Sequence, residues 1–456
     1  MSIQTTNPYT NKVEKSFEPL TDAQLEQKIA TAHKAYQTWK KTPITERAKY
    51  LQKVSDIMLE RKHELAQLIT TEMGKLIAQS EGEIAMCASV YAYYAKNGEN
   101  FLKDKELDID EGRAFVRYTP QGIVLGVEPW NFPFNQVGRL TAPNLIAGNV
   151  IVIKHASNVP QCAQVIEDIF REAGMPEGIY TNLFMESNRI AKLTEDPRIV
   201  AMSLTGSEKA GASLAENAGK NLKKSILELG GSDAFVVLED ADMELVMQQI
   251  MMGRFNNMGQ SCTSSKRIII HETLADEFTE RLKKQLQNLI AGDPMDKSTT
   301  IAPMCSQEAL EHLAEQVSDT VKAGAQLVLG GKQMDRPGAF YEPTILTNIT
   351  PKMRAYYEEL FGPVAAIYRV KNLEEAIELA NDSSFGLGGC VFSKDVNKAI
   401  EVASQIDTGM VFINEFTSSR PELPFGGTKR SGYGNELSPT AVLEFVNEKL
   451  IRLKNI

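Results

Sequence analysis

The residue types with the most chemical potential are a lone cysteine and a carboxylate thirty-four positions before it. Cys262 stands in Gly259-Gln260-Ser261-Cys262-Thr263-Ser264-Ser265, a small, polar stretch unsuited to a core strand. Glu228 closes the apolar run Ser225-Ile226-Leu227-Glu228 and is followed by Leu229-Gly230-Gly231. A thiolate attacks a carbon electrophile, and a poorly solvated carboxylate can then take a proton from water. Asn131, in Pro129-Trp130-Asn131-Phe132-Pro133, carries a side-chain amide able to donate to a developing oxyanion. Each has a plainer alternative: a buried inert thiol, an exposed glutamate, an asparagine turn. The setting of Cys262 predicts an approach to a helix N-terminus, where unpaired N–H groups favour a thiolate. The two glycines after Glu228 predict close backbone approach or a turn with positive φ.

Elements that could position these groups follow from periodicity. Residues 25–39, 44–61 and 63–72 repeat apolar side chains at helical spacing. Strands are predicted at 114–118 and 123–127, and from Pro129 the chain alternates. Helix 136–147 leads to strand 150–154, helix 161–173 to strand 179–185, and helix 187–193 to strand 199–205. A second block has strands at 234–238, 268–271, 326–329, 364–370, 389–392 and 411–414. Such alternation means parallel sheets covered on both faces, in two α/β domains meeting near residues 228–232. A chain of 456 residues is too long for one core.

The charge balance of 49 basic against 59 acidic residues, net −10, argues against nucleic acid or an anionic membrane as partner. Five scattered cysteines without metal-like spacing suggest free thiols, no metal and a reducing compartment. With no signal-like N-terminus and no apolar run of about 20 residues, a cytoplasmic protein is expected. Lys154 ends an apolar strand at the edge where open α/β sheets bind ligands. Thr205-Gly206-Ser207, with Gly211 beyond, resembles a nucleotide-binding turn, although no G-x-G-x-x-G lies at a strand–helix junction.

Taken in order, the segments 129–133, Lys154, 205–207, 228–231, 259–262, Glu358-Glu359-Leu360-Phe361-Gly362-Pro363 and Pro424-Phe425-Gly426-Gly427 closely resemble the aldehyde dehydrogenase superfamily over nearly the whole chain. The resemblance implies an α/β fold of two open parallel-sheet domains with a small β bridging and oligomerisation arm. Its cofactor domain would take 1–101 and 121–228, its catalytic domain 229–432, and its arm 102–120 and 433–456, in a homodimer or homotetramer. It implies Cys262 as nucleophile, Asn131 and the Cys262 N–H as oxyanion donors, and Glu228 as the base of hydrolysis. NAD or NADP would meet Trp130, Lys154, Ser157, Gly206, Ser207, Leu229, Glu359 and Phe361.

Ser157, three after Lys154, stands where NAD-preferring relatives often carry glutamate, so a 2′-phosphate meets no repulsion there. His155 would add positive charge or lie at the surface. Arg139, eight after Asn131, is expected to point into the substrate passage, where a guanidinium grips a distal carboxylate in bidentate fashion. Arg267 recurs in bacterial succinate-semialdehyde enzymes, in a binding or a structural role. Ser419 and Arg420 fall in a loop that usually caps the entrance. The pattern is most similar to bacterial NAD(P)-dependent succinate-semialdehyde dehydrogenases. The alternatives are a broad-specificity or phosphorylated-aldehyde dehydrogenase and, more distantly, a non-catalytic binding protein on the same fold.

Overall fold

Apolar runs such as Val150-Ile151-Val152-Ile153 suit only a strand covered on both faces. In the computed structural model, which describes residues 3–454, all four are fully buried. They belong to a sheet ordered Gly432–Tyr433, Lys224–Glu228, Ile199–Thr205, Ile123–Glu128, Val150–His155, Tyr180–Asn182. All pairs are parallel except the first, which is antiparallel. The chain enters at the centre, steps outward on one side, then crosses to fill the other. This reversal leaves a switch point between Ile123–Glu128 and Ile199–Thr205, the usual place for a ligand crevice. Asn131 lies in the loop that leaves the central strand there.

The second sheet is ordered Gln326–Leu329, Thr344–Thr347, Val364–Val370, Arg267–His271, Ala234–Val237, Gly389–Phe392, Phe412–Ile413. It is parallel except at its first pair. The sequence pattern missed Thr344–Thr347 and placed 326–329 in a parallel block. The two strands are joined without a helix, through left-handed Gly330 and Gly331, and the returning strand pairs antiparallel.

Four helices, Asp22–Trp39, Ile44–Glu60, Lys62–Met73 and Ile77–Phe101, pack on the first sheet and share its core. The two sheets meet at the segment that carries the proposed base. Glu228 is the last residue of its strand, and the next strand, Ala234–Val237, already belongs to the second sheet. Lys105–Leu107, Arg113–Pro120 and Val446–Leu453 form a separate antiparallel sheet on which Leu450 and Leu453 are exposed. No helix among the described residues is long and apolar enough to cross a membrane.

Candidate active site

The segment leading to Cys262 is irregular, and polar groups hold it so. A π-helical turn, Met251–Phe255, ends the helix Met243–Ile250. Asn257, Met258 and Gly259 then follow in the left-handed region, with φ of 50°, 54° and 69°. Two non-glycine residues there are costly unless the surroundings hold them. Asn257 Nδ2 donates to the carbonyls of Asn131 (3.1 Å) and Gln260 (3.2 Å). Fully buried Arg254 donates to the carbonyls of Val364, Leu360 and Gly362 and to Ser264 Oγ. Cys262 therefore sits in a turn and not at a helix N-terminus, a correction to the expectation from its setting. Its thiol gains no help from a helix: burial lifts it to about 11, against the pull of Arg139 and then Lys266.

Lys266 was not foreseen. Its side chain is almost wholly buried, and its ammonium donates to Ser261 O (2.6 Å), Cys262 O (2.7 Å) and Glu359 Oε1 (2.9 Å). Those three acceptors use all three of its protons. The glycines after Glu228 serve close approach, without positive φ. A Cβ on Gly231 would lie 2.6 Å from Cys262 O, and one on Gly230 would strike the Glu359 carboxylate.

Asn131 is buried, with its amide orientation set from both ends. Oδ1 accepts from Gln136 Nε2 (2.9 Å), and Nδ2 donates to Gln260 O (3.1 Å). The second Nδ2 proton and the Cys262 backbone N–H have no partner among the described residues. Two donors in and beside the nucleophile segment thus stand free, the groups a thiohemiacetal oxyanion needs.

Glu228 is 2% exposed, and neither carboxyl oxygen has a hydrogen bond. Its Oε1 lies against Gly426, where a Cβ would stand 3.3 Å away. Burial raises its pKa well above the carboxylate range, Glu436 adds to the rise, and Arg139 opposes it. Glu128, at the end of the central strand, is likewise raised by burial and by Glu436, against the pull of Arg139. Three buried carboxyls thus share the field of one guanidinium, and burial favours the protonated form of Glu228. The cluster of Glu128 and Glu436 around Arg139 escaped the sequence. A buried-looking glutamate ending the run 123–128 was its only signal.

A cavity of about 410 Å³ has Cys262, Gln136, Arg139, Ser419 and Phe425 in its wall. Arg139 Nε meets Glu436 Oε2 at 2.6 Å, and the guanidinium lies over the Phe425 ring at 4.1 Å. The terminal nitrogen NH2 is buried without a hydrogen bond, as are the hydroxyls of Ser418 and Ser419. The cavity therefore brings Cys262, Arg139 and Ser419 together. It does not include Arg267, whose guanidinium is spent on the carbonyls of Ser232, Leu379 and Ala380. The structural role is the correct one for that residue: it starts a central strand, where open backbone carbonyls converge. Arg420 turns outward to pair with Glu415 and is likewise no part of the cavity wall.

The proposed cofactor residues lie along the switch-point edge. Lys154 is 7% exposed, and its ammonium has no hydrogen bond or ion pair among the described residues. Desolvation lowers its pKa, so an acceptor such as a ribose hydroxyl or phosphate oxygen suits it. Ser157 is uncharged and accepts through its carbonyl from Gln4 N. Ser207 caps the helix Glu208–Lys220, and the Gly206 N–H is taken by Glu228 O. Leu229 is buried against Gly211. Trp130 and Phe361 meet edge to face at 5.7 Å, and Lys266 stands 5.7 Å from the Phe361 ring centre. The unpaired lysine, the open sheet edge and the aromatic pair fit a nicotinamide dinucleotide. No group of three or more metal-ligating side chains occurs among the described residues.

His155 neither adds charge nor lies at the surface. It is buried, with Nε2 against Pro133 O (2.8 Å) and Nδ1 accepting from Ala156 N. Burial depresses its pKa from 6.5 to about 4. A histidine neutral when folded stabilises above its unfolded pKa, and that contribution is lost as pH falls from 6.5 towards 4. The wild type is expected to lose about 3 kcal/mol more than His155→Gln over this interval in urea unfolding. Parallel pH profiles for the two proteins would refute this.

A profile of the aldehyde dehydrogenase family matches residues 1–451. A succinate-semialdehyde dehydrogenase (NADP+) of Deinococcus radiodurans is 48% identical over 98% of this chain and 94% of its own. A probable succinate-semialdehyde dehydrogenase (NADP+) of Synechocystis is 44% identical over 99% of both chains. The crystal structure of succinic semialdehyde dehydrogenase from Streptococcus pyogenes, in complex with NADP+, superposes with a TM-score of 0.98. It is 45% identical, over 99% of this chain and all of that one.

Proposed function

We propose, since the chain belongs to the aldehyde dehydrogenase family, that it oxidises succinate semialdehyde to succinate with NADP+. The observation that carries the choice of substrate is Arg139. It lines the same cavity as Cys262 and Ser419, and its terminal nitrogen NH2 is buried without a hydrogen bond. A four-carbon aldehyde with a terminal carboxylate presents an anion to the guanidinium and a carbonyl to the thiol. The NADP+ named for the relatives supports that cofactor, as does the uncharged Ser157 beside unpaired Lys154.

In this reading Cys262 Sγ adds to the aldehyde carbon. The resulting oxyanion is held by Asn131 Nδ2 and the Cys262 N–H. When bound, NADP+ supplies the hydride acceptor that turns the thiohemiacetal into a thioester. Glu228, ionised at that stage, takes a proton from water. The hydroxide adds to the thioester carbon, the C–S bond breaks, and the acid leaves with Cys262 restored as thiolate. Lys154 and Glu359 would hold the two riboses. Leu450 and Leu453, exposed on the arm's last strand, support pairing with a second copy.

NADPH formation with succinate semialdehyde, glyceraldehyde 3-phosphate and hexanal tests the assignment, each also run with NAD+. The expected order places succinate semialdehyde with NADP+ at least about tenfold ahead in kcat/KM. Equal rates across the three aldehydes would sink it in favour of a broad-specificity enzyme. A lead for the phosphorylated aldehyde would make Arg139 a phosphate anchor.

A further inference from the structure

Behind Asn131 lies a buried ion pair that takes no part in the chemistry described so far. Lys75 and Glu83 each have a side chain 1% exposed and are in direct contact. They come from the end of one helical segment and the start of the next, far in sequence from the residues they touch. Lys75 Nζ also donates to Asn131 O (2.9 Å) and stands 3.8 Å from the centre of the Phe132 ring. Glu83 Oε1 accepts from the N–H groups of Phe134 (2.9 Å) and Asn135 (3.3 Å), at the start of the helix Asn135–Ala147. That helix carries Gln136, which holds Asn131 Oδ1, and Arg139, which faces the cavity.

Two ends of one short segment are therefore gripped by one pair. Lys75 fixes the backbone carbonyl of Asn131, and Glu83 fixes the first turn of the helix that orients the Asn131 amide. A buried ion pair is weak as a source of stability, because desolvating both charges costs about what their attraction returns. Its value here is geometric, since an ammonium and a carboxylate with several short bonds admit one arrangement.

We propose that Lys75 and Glu83 are positioning residues that place the oxyanion donor Asn131 against Cys262. This rests on the reading of the site as an aldehyde-oxidising one. Misplacing a catalytic donor by about 1 Å costs up to roughly a hundredfold in rate. The reaction of Cys262 with iodoacetamide builds no oxyanion and so does not need Asn131.

The test uses the full chain with Lys75→Met and with Lys75→Met/Glu83→Gln. The double variant leaves no unpaired buried charge and keeps a capping oxygen, so it remains folded where the single variant does not. Single-turnover NADPH formation is measured with succinate semialdehyde and propanal, beside the rate of Cys262 alkylation. The expected result is an aldehyde rate lower by about tenfold to a hundredfold for both substrates, with alkylation within about twofold of wild type. Reintroducing Lys75 alone, as Glu83→Gln, recovers part of the rate through the Asn131 carbonyl. The proposal is overturned if the folded double variant turns over aldehyde at the wild-type rate. It is also overturned if alkylation falls in proportion, since the site would then have collapsed as a whole. A wild type that oxidises neither aldehyde would instead bring down the functional reading itself.

Discussion

Glu228→Gln protein, mixed with succinate semialdehyde and NADP+, is expected to release about one equivalent of NADPH per Cys262 and then nearly stop. The first half of the reaction needs the thiol and the oxyanion donors, neither of which touches Glu228. The second half needs a group that accepts a proton from water, and glutamine cannot. Loss of a general base costs about a hundredfold or more in the step it serves. Rapid-mixing absorbance would separate the burst from the steady state. A variant with no burst would mean that Glu228 is needed before hydride leaves, and unchanged turnover would remove it from the mechanism. The pH dependence carries a definite sign. Burial and Glu436 hold the Glu228 pKa high, so wild-type turnover limited by hydrolysis rises as pH increases and the carboxyl ionises. Glu436→Gln removes a neighbouring negative charge and moves that rise to lower pH, while Glu228→Gln makes the profile flat.

Arg139→Met separates substrates. The guanidinium acts twice, lining the cavity that would take the substrate carboxylate and standing first among the groups that favour the Cys262 thiolate. The second role is shared by every aldehyde, so kcat/KM for propanal falls modestly, within about tenfold. The first role is confined to a carboxylate-bearing substrate. Truncating one partner of a buried charged contact costs about 2–5 kcal/mol. Succinate semialdehyde is therefore expected to lose a further factor of about a hundred, mostly in KM. The relevant quantity is the ratio of the two substrates, which is insensitive to a general loss of thiolate. Arg139→Met also strands Glu436, so Arg139→Met/Glu436→Gln is the control that removes both halves of the pair. A selectivity ratio unchanged in both proteins would leave Arg139 as a partner of Glu436 alone and reopen the choice of aldehyde.

Much of the candidate site is legible in the sequence because its parts are local. Cys262 and Asn131 each lie in a short segment whose composition is poor for a core and good for a turn, and Glu228 ends an apolar run just before two glycines. Arg139 is placed by the family resemblance alone, since the helix Asn135–Ala147 is buried on every face and its periodicity singles out no residue. The groups that hold those parts in place act across long separations, and no local pattern announces them. Lys75 reaches a carbonyl 56 residues away, and Glu359 meets Gly231 N across 128. Arg267 shows the converse: an arginine five after the nucleophile looks like a ligand-binding group until the carbonyls of Leu379 and Ala380 are seen to use it. His155 differs again, because it follows Lys154 at the end of its strand, where a surface position is the plain expectation, while its neighbours in space bury it. The strand Thr344–Thr347 is short and lacks alternation, so only its pairing defines it.

Oxidation through Cys262 requires a covalent succinyl thioester on that one sulfur. Intact-protein and peptide mass spectrometry of Glu228→Gln, quenched in acid after mixing with succinate semialdehyde and NADP+, detects it directly. A succinyl adduct confined to the peptide bearing Cys262, present only with both reactants and absent in Cys262→Ala/Glu228→Gln, is the predicted result. NADPH released without any adduct, or the same adduct on a protein lacking Cys262, would contradict it.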